Sequence, residues 1–507
     1  MEPPVSRKFV AIAIAMLAMS GMAAAKPLKV VGPWEIAGID PAQSGFVFSR
    51  MQVAETLVSV DTDGKLTAGL ATSWSTSEDG LAWRFRLRDG ARFHDDSPVT
   101  AAVVADTLRK VQGGAGVFSQ VPVAGIEPDG QDVVIRLSKP FAALPAYLVN
   151  FTTIILAPSS VGSSGKVERI VGSGPYRVKS LTPPLNMQLE VAPAWAGAKP
   201  GVAEVDYQAV GQGETRALMA ESGEADLVFS MLPVSVERLK RNPNLDVRIA
   251  TIPRTRMLKV NAASPLFSDV RVRRAISAAL DREGTTRVIL RNADLAATQL
   301  FPKALAGWND PELPPLKRDL AAAKALLAEA GWTPGADGIL QKDGKPFSFT
   351  LLTYASWPEL PPIATAIQAQ LKQVGIDAKV SVGNSSEIPA RHKDGTLEMG
   401  LVSRLYSIVP DAIGTLRDDY KAGGSDWGAT GWSSDELNAL VETMAQTSDP
   451  AARAPMQKRA IAILQSELPS IPVTWSELAI VANKRVTGLR VDPLEVNYGL
   501  ASIRWAQ

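Results

Sequence analysis

The stretch from Val53 to Leu108 alternates short extended segments with tight turns, and this pattern constrains the fold more than any other part of the chain. Trp83, Phe85 and Leu87 alternate with polar residues, which is the two-residue period of a strand buried on one face. Asp-Gly pairs stand on both sides of that strand and favour turns, because both residue types tolerate positive φ. Thr100 is placed to cap a helix that follows. The stretch therefore predicts strands linked by turns and then a helix.

The length and charge of the chain limit what it can be. At 507 residues it exceeds a single hydrophobic core, so two or three domains are expected. Lysine and arginine number 53 against 52 aspartate and glutamate, a net charge of +1. A balance of this kind argues against a nucleic-acid surface or a polybasic membrane patch.

The N-terminus has the features of a secretory signal. Arg7 and Lys8 precede a short apolar run over residues 10–19, and small residues at 23–25 are placed for cleavage before Lys26. A run of about 10–15 apolar residues is shorter than the roughly 20 that a membrane-spanning helix needs. We therefore expect residues 1–25 to be a signal peptide. The chain has no cysteine, which excludes disulfides and a lipidated N-terminal cysteine and predicts a soluble protein held in the periplasm.

The same stretch carries a series of motifs in a fixed order. They are Glu55, Leu57-Val58, Asp61 to Lys65, Leu70 to Trp74, Ser77 to Gly80, Leu87 to Gly90 and Phe93 to Asp95. This series resembles the signature of the family 5 extracytoplasmic solute-binding proteins, which serve peptide, nickel and opine ABC importers. Asp96 stands where that family usually has glycine, and aspartate is tolerated in a left-handed turn.

The resemblance continues along most of the chain and implies the architecture. It predicts an α/β, two-lobed periplasmic binding protein of the type II, large peptide- and nickel-binding class, with an extra subdomain in the first lobe. The first lobe is expected to comprise residues 26–250 and 479–507, with residues 43–179 as the inserted subdomain. The second lobe is expected to comprise residues 251–478.

Apolar periodicity predicts helices and strands in alternation in the second half of the chain. Asp319 is expected to cap one helix, and residues 363–374 carry the stripe of another. Strands are expected at 247–260 and 472–481. Strand–helix–strand order favours a parallel sheet covered by helices. Residues 42–51, which contain a glycine and two phenylalanines, are expected to form a loop.

Catalysis has little support in the sequence. There is no cysteine, there are two histidines, and no zinc-protease, nucleophile-elbow or Cys/His metal spacing occurs. The chain is therefore expected not to be an enzyme and to hold no cofactor and no metal ion. A secreted hydrolase remains as an alternative of another class.

The resemblance implies that ligand lies between the lobes and nominates the side chains that contact it. The candidates are Phe46, Phe48, Arg50, Phe118, Arg404, Tyr406, Asp411, Trp427, Trp432 and Tyr498. Asp411 either pairs with the amine of a peptide or caps a helix, and Arg404 pairs either with a ligand carboxylate or with a neighbouring acid. Phe46, Phe48, Trp427 and Trp432 are each either a ligand contact or part of the core.

The function implied by the resemblance is capture of a small peptide for an ABC importer, with a membrane permease and ATPase subunits as partners and the binding protein itself a monomer. A nickel-chelate or opine binder of the same fold is the alternative, and a ligand sensor or chaperone is a further one. The loop 418–427 lacks the histidine of nickel-binding relatives, and residues 113–118 and 150–152 lack their arginines. Direct coordination of nickel by histidine is therefore not expected.

Overall fold

The computed structural model of the protein describes residues 26–114, 116–305, 307–420 and 425–506. The signal peptide predicted at residues 1–25 lies outside these ranges. Within them the chain is a mixed α/β protein with thirteen α-helices and twenty-one strands. None of the helices in the described ranges is long and apolar enough to cross a membrane.

The strands fall into one large sheet and several small ones. In chain order they are β1 Leu28–Gly32, β2 Val58–Val60, β3 Leu66–Ala68, β4 Ala71–Thr76, β5 Ala82–Leu87, β6 Val123–Asp129, β7 Asp132–Leu137, β8 Tyr176–Thr182, β9 Asn186–Val191, β10 Glu204–Ala209, β11 Leu227–Phe229, β12 Leu245–Val260, β13 Thr333–Pro334, β14 Leu340–Lys342, β15 Lys345–Pro346, β16 Ser348–Tyr354, β17 Asp377–Gly383, β18 Met399–Leu405, β19 Ser470–Asn483, β20 Val486–Thr487 and β21 Arg504–Trp505.

The helices cover the faces of these sheets. They are α1 Pro41–Arg50, α2 Ala101–Gln112, α3 Leu144–Tyr147, α4 Gly213–Glu221, α5 Pro233–Lys240, α6 Val270–Ala279, α7 Arg282–Thr285, α8 Leu320–Glu329, α9 Leu360–Lys372, α10 Glu387–Lys393, α11 Ile413–Asp419, α12 Asp435–Gln446 and α13 Pro450–Glu467.

A ten-stranded sheet runs through the molecule in the order β17-β16-β18-β12-β19-β11-β1-β10-β9-β8. Its two central strands, β12 and β19, are the longest and pair antiparallel from Leu245↔Asn483 to Lys259↔Ser470. On one side of this pair β1 runs parallel to β10 and β11. On the other side β16 runs parallel to β17 and β18. The parallel pairing predicted from strand–helix–strand order is confirmed.

The four-stranded sheet β4-β5-β7-β6 confirms the strand pattern from which the sequence analysis began. Trp83, Phe85 and Leu87 are buried, while the arginines between them are exposed. Thr100 caps α2, with its hydroxyl accepting the Val103 N–H at 3.3 Å. Asp96 adopts φ +64°, the left-handed conformation expected where the family usually has glycine.

The expectation of a loop over residues 42–51 is wrong, because residues Pro41–Arg50 form helix α1. The Asp40 side chain accepts the Ala42 N–H at 2.9 Å, and Pro41 occupies the first helical position. An aspartate cap followed by proline is a strong helix start. The weak helix propensity of Ser44 and Gly45 masked that signal in the sequence.

The motifs of the family signature join separate strands and loops. The Glu55 carboxylate pairs with Arg88 at 2.9 Å and accepts the Ser173 hydroxyl at 2.8 Å. A Cβ placed on Gly172 or Gly174 would lie 2.1 or 2.2 Å from a backbone oxygen of the 52–53 segment. These positions therefore need glycine for close approach of two backbones.

Hydrophobic packing divides the described chain mainly between two cores. The larger core joins residues of the 57–157 stretch to residues between 257 and 475. The second core is built from residues 28–54, 154–252 and 478–503. Phe229 at the carboxyl end of β11 belongs to this second core and Trp34 after β1 packs against it, together with residues of α1 and the C-terminal loop. The candidate site lies beside these residues.

Candidate functional site

Two arginines from distant parts of the chain meet one glutamate beside the central strands. Arg50, in the last turn of α1, donates from Nε to the Glu495 carbonyl at 2.6 Å, and its Nη2 lies 3.8 Å from the Glu495 carboxylate. Arg254, in β12, reaches the other carboxylate oxygen through Nη2 at 3.2 Å. The three side chains are 5–13% exposed. The group is a buried cluster with two positive charges and one negative charge.

Aromatic rings lie against both guanidinium groups of this charged cluster. The Arg50 guanidinium carbon lies 4.7 Å from the ring centre of Trp34, 5.2 Å from that of Phe46 and 5.9 Å from that of Tyr498. The Arg254 guanidinium carbon lies 4.7 Å from the ring centre of Trp357, in the loop after β16. Cation–π contacts of this kind hold a guanidinium in place while its edge remains able to donate hydrogen bonds.

The position of Glu495 is set by the loop that carries it. The Asp492 carboxylate accepts the backbone N–H groups of Leu494, Val496 and Asn497 at 2.8–2.9 Å. Glu495 adopts φ +57°, a left-handed conformation that is unfavourable for a residue with a side chain. The loop thus pays a conformational cost and directs this carboxylate at the two arginines.

Electrostatics keep the cluster charged. Burial by itself raises the pKa of the Glu495 carboxyl, but Arg254 and Arg50 outweigh it and the net pKa is lowered. Burial raises the pKa of the Tyr498 phenol well above its ordinary value, so this hydroxyl is neutral. The cluster therefore presents a net positive charge in an aromatic setting, which suits a ligand with a carboxylate and an apolar or planar part.

A second set of contacts joins the 43–179 stretch to the far half of the chain. The Asn150 side-chain amide donates to the Ile408 carbonyl at 2.7 Å. Lys139 and Arg417 both pair with the Glu442 carboxylate at 2.9 Å. The 43–179 stretch is therefore connected to residues 408–442 by these polar contacts, in addition to the pairing of the central strands.

Comparison with known proteins identifies the family. The model of the bacterial extracellular solute-binding proteins, family 5 (middle region), matches residues 65–427, which is more than half of the chain. The chain belongs to the family 5 solute-binding proteins. The architecture predicted from the sequence, a two-lobed α/β binding protein, is confirmed by the solved structures that it resembles.

Individual relatives of this solute-binding protein span nearly its whole length. It is 26% identical to the glutathione-binding protein GsiB of Shigella flexneri serotype 5b over 511 aligned residues, covering 95% of each chain. It is 25% identical to NikA from Brucella suis, solved in complex with Fe(III)-EDTA, with a TM-score of 0.84, covering 94% of this chain and 100% of that one. The oligopeptide-binding protein AppA of Bacillus subtilis, solved with a nonapeptide, is 21% identical with a TM-score of 0.81, covering 95% and 99%, and supports the fold alone.

Three of the nominated residues are brought together in the charged cluster of this solute-binding protein. The Arg50 guanidinium contacts both the Phe46 ring and the Tyr498 ring there, as described above. Phe48, from the same helix as Phe46, is fully buried in the second core. Phe118 is also fully buried, in the larger core.

A second group of nominated residues lies at the end of β18. Arg404 forms a two-point ion pair with Asp419, both distances being 2.6 Å, so its partner is a neighbouring acid. Tyr406 is fully buried against Phe301, with ring centres 4.8 Å apart. Trp427 is half-buried.

The remaining nominated residues serve local structure in the described chain. The Asp411 carboxylate accepts the Trp308 indole N–H at 3.1 Å, pairs with Arg453 and accepts the Ile413 N–H at 3.0 Å. Its partners are therefore groups of the protein, although the N-cap of α11 is Ala412 and not Asp411. Trp432 is half-buried and packs edge-on against Tyr420.

Sequence reasoning missed four residues of the cluster. These are Trp34, Arg254, Trp357 and Glu495. One signal was available, because Arg254 is a charged residue in β12, a strand that ends in a fully buried stretch. No comparable signal marked Glu495, since an acidic residue in a polar loop is ordinary.

A large cavity of the described chain is separate from this cluster. It has a volume of about 810 Å³ and lies between the N-terminus of α1, one side of α2 and the 152–167 segment. No group of three or more histidine, cysteine, aspartate or glutamate side chains that could hold a metal ion occurs among the residues that the structure describes.

Proposed function

We propose that this protein is the periplasmic substrate-binding component of an ABC importer and that it captures a small peptide or peptide-like solute. The observation that carries the proposal is the buried Arg50–Glu495–Arg254 cluster, which combines a net positive charge with aromatic rings. The relatives add support, because one is named as a glutathione-binding protein and glutathione is a peptide with free carboxylates.

We further propose that the solute binds between two lobes. The first lobe comprises residues 26–250 and 479–507, including the 43–179 subdomain, and the second comprises residues 251–478. The long strands β12 and β19 pass from one proposed lobe to the other and act as the hinge. Ligand that contacts both lobes favours the closed arrangement by its differential affinity. The closed protein then docks on a permease, and separate ATPase subunits drive transport.

Export to the periplasm belongs to the same proposal. It rests on the family, whose members are extracellular solute-binding proteins, and on the signal-like residues 1–25. Cell fractionation of the native producer, with detection of the cleaved N-terminus by mass spectrometry, tests it. Cleavage before Lys26 is the expected result, and an uncleaved cytoplasmic protein would contradict it.

A carboxylate-bearing metal chelate is the second candidate solute. The guanidinium groups of Arg50 and Arg254 would pair with carboxylates on a chelate just as they would with those of a peptide. The likeness to NikA from Brucella suis, solved with Fe(III)-EDTA, favours keeping this candidate. Under this alternative the protein contacts the organic ligand and not the metal.

The test is native mass spectrometry of protein purified from the periplasm without refolding. A discrete peptide mass that is lost on denaturation is the expected result, and an adduct with a nickel or iron isotope pattern would replace the peptide with the chelate. Arg254→Gln should abolish the adduct, whereas Arg459→Gln, which removes an exposed ion pair with Glu436, should retain it. If no adduct appears, calorimetry with glutathione, tri-alanine, Ni(II)–histidine and Fe(III)–EDTA follows. Failure of all four to bind would refute the proposal.

A further inference from the structure

Glu495 does not form a two-point ion pair with either arginine of the charged cluster. It reaches Arg254 at one point, 3.2 Å from Nη2, and its carboxylate is 3.8 Å from Arg50. Elsewhere in the same protein Arg404 and Asp419 form a two-point pair at 2.6 Å. A guanidinium binds a carboxylate best through two parallel hydrogen bonds. Glu495 therefore accepts from only some of the hydrogen-bond donors of Arg254.

A hydrogen-bond donor of Arg254 that Glu495 does not contact is buried. The Nε atom of Arg254 is inaccessible and has no hydrogen-bond partner within the described residues. A buried donor without a partner is costly, so such a group marks a place where another acceptor belongs. Trp357 covers one face of the same guanidinium and leaves its edge as the direction from which an acceptor arrives.

The charges of the cluster point the same way. One glutamate faces two arginines, so one positive charge is not compensated inside the cluster. Buried charges are normally paired. A carboxylate of the solute would supply the second negative charge and would meet the edge of Arg254 that Glu495 leaves without an acceptor.

We propose that Glu495 is a built-in competitor for a carboxylate of the solute, and that this carboxylate binds Arg254 at two points while Glu495 shifts onto Arg50. This inference rests on the proposed function and narrows the solute to one that carries a carboxylate beside an apolar or planar group facing Trp357. The left-handed backbone of Glu495 fits this arrangement, because a strained residue is displaced at less cost than a relaxed one.

The ion pair between Arg256 and Glu359 provides a matched control, because Arg256 follows Arg254 by two residues in β12. Glu359 lies 3.2 Å from Arg256 Nη2, the same distance as Glu495 from Arg254, and both pairs are buried. Arg256 also donates to the Trp475 carbonyl at 3.2 Å, and its Nε, like that of Arg254, is buried without a hydrogen-bond partner in the described residues. Glu359 pairs with one arginine, whereas Glu495 faces two, so Glu359→Gln removes an equivalent charge where no second arginine shares the carboxylate.

The first experiment measures affinity for tri-alanine and for tri-alanine amide, which lacks the C-terminal carboxylate, by calorimetry. Glu495→Gln should bind tri-alanine at least tenfold more tightly than the wild type, because a competing negative charge has been removed. It should bind the amide no more tightly than the wild type. Glu359→Gln should match the wild type for both peptides. A gain for the amide equal to the gain for the acid, or a loss of affinity for the acid, overturns the inference.

The second experiment does not depend on the identity of the solute. Glu495→Ala leaves both arginines without their carboxylate, and added acetate should raise its melting temperature more than it raises that of the wild type at equal ionic strength. Glu359→Ala with acetate serves as the control, and sodium chloride as the salt reference. An acetate effect on Glu495→Ala no larger than that on the wild type overturns the inference. If instead a solute co-purifies and remains bound to Glu495→Gln with unchanged affinity, the proposed function stands and this inference alone fails.

Discussion

The ion pair between Arg404 and Asp419 tests quantitatively how burial controls the contribution of an ion pair to the free energy of unfolding. Arg404 binds both carboxylate oxygens of Asp419 at 2.6 Å, and the Asp419 side chain is completely inaccessible. Asp419→Asn leaves a buried guanidinium without its partner, which typically costs about 3–5 kcal/mol. Asp418 lies 3.9 Å from Arg404 and compensates part of the charge, so we expect a loss of about 3 kcal/mol at the low end of that range.

The chain contains a pair of nearly identical geometry on the surface. Arg459 binds the two carboxylate oxygens of Glu436 at 2.6 and 2.7 Å, with both side chains about half exposed. Water and salt screen such a pair, so Glu436→Gln should leave stability unchanged within error. Because the two pairs have the same contact geometry, the difference between the variants isolates the effect of burial.

The assay is equilibrium urea unfolding followed by circular dichroism, with the slope of the transition checked for each variant. The double variant Arg404→Gln/Asp419→Asn should lose less stability than the sum of the two single variants, because it removes both charges together. A loss below about 1 kcal/mol for Asp419→Asn, or a loss equal to that of Glu436→Gln, would refute the reasoning, since exposed pairs contribute at that level.

Three other predictions concern a buried lysine, two glycines and the contact beyond the central strands. Lys259 is fully buried, and burial lowers the pKa of its ammonium to about 7, whereas in the unfolded chain the pKa is about 10.4. Between pH 7 and 10 the unfolded state therefore binds more protons, so the stability of the wild type relative to Lys259→Met should rise over this range and be flat below pH 7. A difference in stability between the two proteins, measured by urea unfolding, that does not change with pH would contradict this. Gly174→Ala should sharply lower the melting temperature because its Cβ would lie 2.2 Å from the Gln52 carbonyl, whereas Gly211→Ala, with open space around it, should not. Asn150→Ala removes the 2.7 Å hydrogen bond to Ile408 and also two local hydrogen bonds from Thr152. The bond to Ile408 is the one that joins distant segments, so its loss, about 1 kcal/mol, should weaken binding of the co-purified solute about fivefold in calorimetry. Unchanged affinity would show that this contact does not stabilise the closed arrangement.

Two contacts connect segments that are distant along the chain, one at the charged cluster and one between Asn150 and Ile408. The charged cluster lies beside the middle of β12, where Arg254 meets the C-terminal loop. Asn150 contacts Ile408 beyond that point, between the 43–179 stretch and the loop after β18. Under the proposed lobe division, both contacts join the first lobe to the second, so each would contribute to the closed arrangement.

Local structure was largely predictable from the sequence. The alternation of Trp83, Phe85 and Leu87 predicted a half-buried strand, and Thr100 and Asp319 were correctly expected to cap helices. These features depend on side-chain period and on hydrogen bonds within a few residues, so the sequence contains them directly. Helix α1 was missed because its start signal, Asp40 followed by proline, precedes residues of weak helix propensity.

The candidate site was only partly predictable. Phe46, Arg50 and Tyr498 were nominated and lie together, whereas Asp411 and Arg404 proved to be paired within the protein. Whether a charged side chain meets a ligand or a neighbouring residue depends on which partner the fold brings within about 3 Å, and sequence spacing does not carry that information.

The sequence by itself determined the family, the alternation of strands and helices, and the positions of most caps and turns, because these follow from short-range periodicity and from motifs. Only the tertiary structure decided which charges stand alone. Arg50, Arg254 and Glu495 are separated by 204 and 241 residues along the chain, and they meet because α1, β12 and the C-terminal loop pack at one edge of the second core. Burial there leaves two guanidinium groups with one carboxylate, an imbalance that no stretch of the sequence shows.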